Sequence, residues 1–159
     1  MIDNENLREA VVSGLKDYLK IDVIRANQNE KPPSYPFLSY TVTQLQSENK
    51  GTYGVYEDGI DRIPVTQIWS ISSLSDKEDE SIMYATKARE WLEHIGRVYL
   101  KSKGVTVQSV TSVSNRDNVL TVEYEYKNGF DVVFYLMNEV ENQAIKTGEY
   151  IENISVTRR

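Results

Sequence analysis

Between Val119 and Met137 lie two runs rich in β-branched and aromatic residues, and Asn128-Gly129 stands between them. An Asn-Gly pair tolerates positive φ at both central positions of a type I′ turn, whose twist matches that of paired strands, so the pattern predicts a tight hairpin. With Asn128 and Gly129 as loop residues, Lys127 faces Phe130, Tyr126 faces Asp131, Tyr124 faces Val133, Val122 faces Tyr135 and Leu120 faces Met137. One face is then aliphatic and tyrosyl. The other sets Glu123 and Glu125 beside Phe134 and Val132, a mixture that suits either a subunit contact or the half-covered side of an ordinary sheet.

The 159 residues suit one domain, 1–159, with a core of its own. Cysteine is absent, which rules out disulfides and thiolate metal sites. The first residues are acidic and polar, and no apolar run nears the ~20 residues of a membrane span. A soluble, unexported protein with no membrane partner is expected. The net charge of −6, spread along the chain, argues against a protein that coats duplexes by neutralising phosphates, and only Arg158-Arg159 form a basic tip.

From Asn4 to Lys20, Leu7, Val11, Leu15 and Tyr18-Leu19 recur at helical spacing, with Asp3 or Asn4 as cap. Asp22 to Ser34 is polar and ends in Lys31-Pro32-Pro33-Ser34, which reads as an entry loop. Pro36 to Thr43 alternates as a strand with Leu38, Tyr40 and Val42 on one side. A second strand is expected over Asp61–Ser73, with Ile63, Val65, Trp69 and Ile71 on one face and Arg62, Thr66, Ser70 and Ser72 on the other. The two strands would pair as a long hairpin across the glycine-punctuated stretch 45–59. Within that stretch Tyr53 and Tyr56 are candidate binding anchors, with two rings folded over the sheet edge as the competing reading.

Ser75-Asp76-Lys77-Glu78 has capping-box spacing and predicts a long helix to about Lys101, with Ile82, Ala85, Ala88-Arg89, Leu92, Ile95 and Tyr99 forming its stripe. Gly104 marks its exit. Val105 to Ser114 is a further strand whose apolar spacing slips once, consistent with a bulge near Gln108 or Ser109. Asn115-Arg116-Asp117-Asn118 turns the chain into the hairpin, and 149–157 is a weak last strand candidate. The fold class is α+β: a mainly antiparallel sheet with helices on one face.

Catalytic motifs are absent. The one histidine, His94, has no partner at metal-ligand spacing, and Gly51-Thr52-Tyr53-Gly54 lacks the lysine of a phosphate loop. Glu123 and Glu125 echo the paired acids of glycoside hydrolysis, but that chemistry needs a cleft with a sugar between them. No enzyme, cofactor or metal is expected.

Pro36-Phe37-Leu38-Ser39-Tyr40, Ser70–Ser75 leading into the helix with Ala85, Ala88 and Trp91-Leu92, Gly104-Val105-Thr106-Val107, Asn115-Arg116-Asp117, Tyr124-Glu125-Tyr126 and Asn128-Gly129-Phe130-Asp131-Val132 occur in that order. Together, over about residues 5–140, they resemble the tail-terminator or neck proteins of tailed bacteriophages, with 141–159 as a C-terminal extension. The resemblance implies a structural subunit that assembles in the host cytoplasm and resides in the virion neck. It also implies a homo-hexameric ring that caps the head-proximal end of the tail tube, with the tube protein and a head-completion or connector protein as partners and no sequence-specific nucleic acid binding. Interface candidates on this reading are Tyr53, Tyr56, Arg62, Arg116, Glu123, Glu125, Phe130 and Asp131, with Asp131 tied to backbone or to Arg116. The alternatives are a connector on the portal side and a non-viral interaction module.

Overall fold

The computed structural model describes residues 1–48, 55–117 and 125–141. The expected α+β class is observed, with a sheet whose strands run in the order 22–25, 37–48, 60–75, 126–141, 106–110 and helices packed on one face.

Helix α1, Asn4–Leu19, is capped by Asp3, whose Oδ1 accepts from the Asn6 amide at 3.0 Å. It buries Leu7, Val11, Leu15 and Leu19 on the sheet. The segment expected to be an entry loop begins as a strand, β1 (Asp22–Arg25), parallel to β2 (Phe37–Glu48). Its burial pattern of exposed ends and a half-buried centre carries no clear period over four residues. Strand β2 pairs antiparallel with β4 (Ile60–Ser75), as the alternation in each predicts, with two register shifts after Val42. Trp69 of β4 stacks on Tyr40 of β2 and meets Phe134 edge-on.

The hairpin at Asn128-Gly129 does not exist. Both residues lie inside β7 (Tyr126–Glu141), which pairs antiparallel with β4 along its whole length, Asn128 opposite Ser73 and Gly129 opposite Ser72. The register that hairpin implied is replaced: Tyr126 opposes Ser75, Asp131 opposes Ser70, Val133 opposes Ile68 and Tyr135 opposes Thr66. Val119–Tyr124 lie outside the described residues, as does 149–157.

A two-residue turn of the expected chemistry occurs instead at Asp58-Gly59, with φ of 53° and 78°, joining β3 (Val55–Glu57) to β4. The stretch 45–59 therefore contains strand at both ends.

Helix α2 (Glu78–Glu90) follows, and Ser75 is not its N-cap. Ser75 Oγ accepts from the Lys77 amide and donates to Glu80 at 2.6 Å, so Lys77 occupies the cap without a side-chain bond. A π turn, Trp91–Ile95, then separates α2 from α3 (Arg97–Ser102). The extra residue changes the phase of the stripe: Leu92, Gly96 and Leu100 are buried, whereas Ile95 is 56% exposed and Tyr99 38%. Ile82, expected on the stripe, is also exposed, and its neighbour Ser81 is buried. Trp91 fills the space left by two glycines, since a Cβ at Gly14 or at Gly96 would lie 2.6 Å from Trp91 Cζ2.

Gly104, at φ +78°, ends α3. The Val105 amide bonds the Leu100 carbonyl and the Gly104 amide that of Lys101, the two bonds of a Schellman motif. Strand β5 (Thr106–Val110) pairs with β7, and its register skips Gln108, where the bulge was expected. The short β6 (Ser114–Asn115) pairs with Gly129 and Asn128.

Candidate interaction surface

Alternation along β4 and β7 sends Val65, Trp69, Ile71, Phe130, Val132, Phe134 and Leu136 into the core under the helices. Thr66, Ile68, Ser70, Asp131, Val133 and Tyr135 therefore lie on the opposite side, each only partly buried. At the end of the face where Phe37 opposes Leu74, Tyr35 stacks on Phe37 and both Phe37 and Leu74 are buried; no described helix packs on the rest.

At one end of the face sits a built polar group. Arg116, just after β6, is anchored by its own amide to the Lys127 carbonyl at 2.8 Å. Its Nη1 donates to Ser70 Oγ at 2.5 Å and to Ser72 Oγ at 3.3 Å, and its Nη2 to Asp131 Oδ1 at 3.0 Å. The side chains of Arg116 and Asp131 are 24% and 44% exposed, so the pair is shielded on one side and open on the other. Asp131 is held in turn by its strand: its amide donates to Thr111 Oγ1 and its carbonyl accepts from the Thr111 amide. Asp117 fixes the approach of the chain, accepting from the Lys127 amide at 2.6 Å while its own amide bonds Asn115 Oδ1.

Gly129 makes this arrangement feasible. A Cβ there would lie 2.5 Å from Ser72 Oγ and 3.0 Å from Arg116 Nη1, and would also strike the Ile71 carbonyl oxygen. Its φ is not in the left-handed region, so the glycine is required for space rather than for a turn. Beside it Asn128 points the other way, into the helix layer, and its Nδ2 donates to Ser81 Oγ at 3.0 Å. Ser81 Oγ completes the chain by donating to the Ser73 carbonyl.

The remaining interface candidates are scattered. Phe130 is fully buried and belongs to the core, so it can act on the surface only by holding Asp131 in place. Glu125, next to the start of β7, accepts from Tyr35 Oη at 2.5 Å. Tyr56 and Arg62 are on the β3–β4 hairpin, where Arg62 lies 3.9 Å from Glu57 and 3.2 Å from Glu139. Tyr53 and Glu123 fall outside the described residues. Ser70, Ser72 and Gly129 were not singled out for function by sequence reasoning. The available signal was the serine series on the outer face of β4, whose short hydroxyls leave room for a guanidinium.

Among the described residues no group of three or more His, Asp or Glu could hold a metal ion, and no helix is long and apolar enough to cross a membrane. His94 is 73% exposed, on the π turn, with Glu93 at 4.0 Å.

A family model described as phage neck terminator protein matches residues 9–158, nearly the whole chain. The chain belongs to that family. No curated protein matches the chain. Membership gives this protein a structural role as a terminator at the neck of a phage tail, with tail-tube and head-joining components as its general class of partner.

Proposed function

We propose that this neck terminator assembles as a hexameric ring on the head-proximal end of the tail tube, stops its polymerisation there and offers its other side to a head-completion or connector protein. A tube grows through heterologous contacts that do not close, so a subunit that accepts the last tube ring and closes laterally ends growth without any chemistry.

The observation that carries this reading is the outer face of the sheet. Two strands of sixteen residues each carry a half-buried row, Ile68, Val133 and Tyr135 among it, with no described helix above them. Next to that row, Arg116 and Asp131 form a charged pair whose geometry is set by Ser70, Ser72, Thr111 and Lys127 before any partner arrives. Preorganised polar groups beside partly apolar surface are what an interface rim needs. Arg62 and Glu125 extend the proposed contact on described surface, Tyr56 stands on the opposite side of the β3–β4 ribbon across from Asp61, and Tyr53 and Glu123 belong to the contact on sequence grounds.

The test uses tagged protein mixed with cognate tail tubes that lack their natural cap, viewed by electron microscopy. Label at one tube end, with sixfold averages in end views, supports the proposal. Label at neither end, in tubes that still accept their own subunits, rejects tube capping, and binding to purified portals instead would assign the protein to the head side.

A further inference from the structure

Among the exposed apolar side chains away from the outer face, two groups carry opposite charge. The first is the helix after the π turn, where Ile95 is 56% and Val98 80% exposed. Residues 94–103 carry Arg97, Lys101 and Lys103 and no acid, and the nearest acid before them, Glu93, is bound by Arg89 at 2.6 Å. π turns are uncommon and concentrate at functional sites. Here Ile95, which a continuous helix would keep on the stripe with Leu92 and Tyr99, stands off the sheet, and Val98 near it is almost bare.

The second is the far end of the sheet. The core ends at Val65 of β4 and Leu136 of β7, and the strands run on to Ile60 and Glu141 with β3 alongside. Tyr56, Asp61 and Val140 line up across this three-stranded ribbon, and Tyr56 and Val140 are 43% and 44% exposed. Residues 56–62 and 137–141 hold five acids, Glu57, Asp58, Asp61, Glu139 and Glu141, against the single Arg62.

We infer that the basic apolar patch around Val98 receives the acidic apolar ribbon around Val140 of a second copy of this chain. The two patches differ, and each complements the other in charge while matching it in apolar content. That is the requirement for a heterologous contact repeated around a closed ring. The inference rests on the ring reading above and names its lateral contact.

The chain has no cysteine, so engineered pairs report cleanly. Val98→Cys and Val140→Cys are introduced singly and together, and each chain is assembled on capless tubes and oxidised. The double variant is expected to give a covalent ladder ending at the size of the ring, and a mixture of the two single variants is expected to stop at dimers. Val98→Asp, at so exposed a position, is expected to leave the melting temperature unchanged and to lower the fraction of capped ends at least tenfold, a loss of roughly 1.4 kcal/mol summed over the whole ring. Capped ends with no link between positions 98 and 140, links of Val98→Cys to itself or to another protein, or unimpaired capping by Val98→Asp would each overturn the contact and leave the ring reading standing. Tubes that carry no ring of the parent protein would remove both.

Discussion

Two Asx-Gly dipeptides in this chain have nearly the same local chemistry and opposite fates. Asp58-Gly59 takes positive φ at both positions and turns β3 into β4. Asn128-Gly129, the stronger hairpin signal with better strand sequences around it, runs straight through β7. The difference lies in what surrounds each. Asp58 is exposed at the tip of a ribbon, where only the backbone preference of the pair decides. Asn128 is buried and bonded to Ser81, and Gly129 is the one residue type that fits beneath Arg116 and against Ser72. Local backbone propensities span only about 1 kcal/mol per residue, and the tertiary contacts of a buried, close-packed site outweigh them.

Substitutions at the two pairs should separate these causes. Gly129→Ala is expected to have the largest effect, about 3 kcal/mol, because the added methyl meets a backbone carbonyl that cannot move aside as well as Ser72 and Arg116. Chemical denaturation measures it, and a loss below about 0.5 kcal/mol would mean that the close approach is not real. Asn128→Asp should follow at roughly 2–3 kcal/mol, since it replaces a buried amide donor by a carboxylate, while the mirror change Asp58→Asn should stay within about 0.5 kcal/mol. Equal costs at the two sites would show that both act as turns. Gly59→Ala is expected to cost about 1–2 kcal/mol through its positive φ alone, without disturbing Arg116.

The smallest expected effect is confined to alkaline pH. Burial raises the pKa of Tyr40 above its usual 10.0, with Arg8 and Arg25 opposing in part. The folded state thus holds the phenol neutral where the unfolded chain would ionise. Its contribution is complete below the unfolded value and is lost as pH rises past 10 through the folded value. Tyr40→Phe should flatten that loss in a melting-temperature profile and leave neutral pH nearly unchanged.

The same contrast explains how much of the molecule was legible in the sequence. Elements whose pattern is long and one-sided were read well: α1 from its Leu7-Val11-Leu15 spacing, β2 and β4 from alternation, the β5 bulge from one slipped valine, and the α+β class that follows. Features decided by partners distant in sequence were not. Nothing local in Asp22–Arg25 announces a parallel edge strand, because its partner begins at Phe37. Ser75 has the spacing of a capping box but spends its hydroxyl on Lys77 and Glu80. The π turn hides in an unbroken helical pattern, and the indole of Trp91 that begins it packs against Gly14 of another helix and Gly96, a fit no local pattern shows. At the candidate surface, the Arg116–Asp131 pair was among the expected ties. The serines that receive Arg116 are 44 and 46 residues away and became visible only when β4 and β7 were paired.

If a subunit with most of one sheet face uncovered ends a tube by closing on it, growth is the quantity to follow. Capless cognate tubes are supplied with excess tube subunits, with and without this protein, and their lengths are measured over time. Elongation at the head-proximal end is expected to halt once a ring is bound while untreated tubes continue. Tubes that carry the protein at that end and keep lengthening at the untreated rate would contradict it.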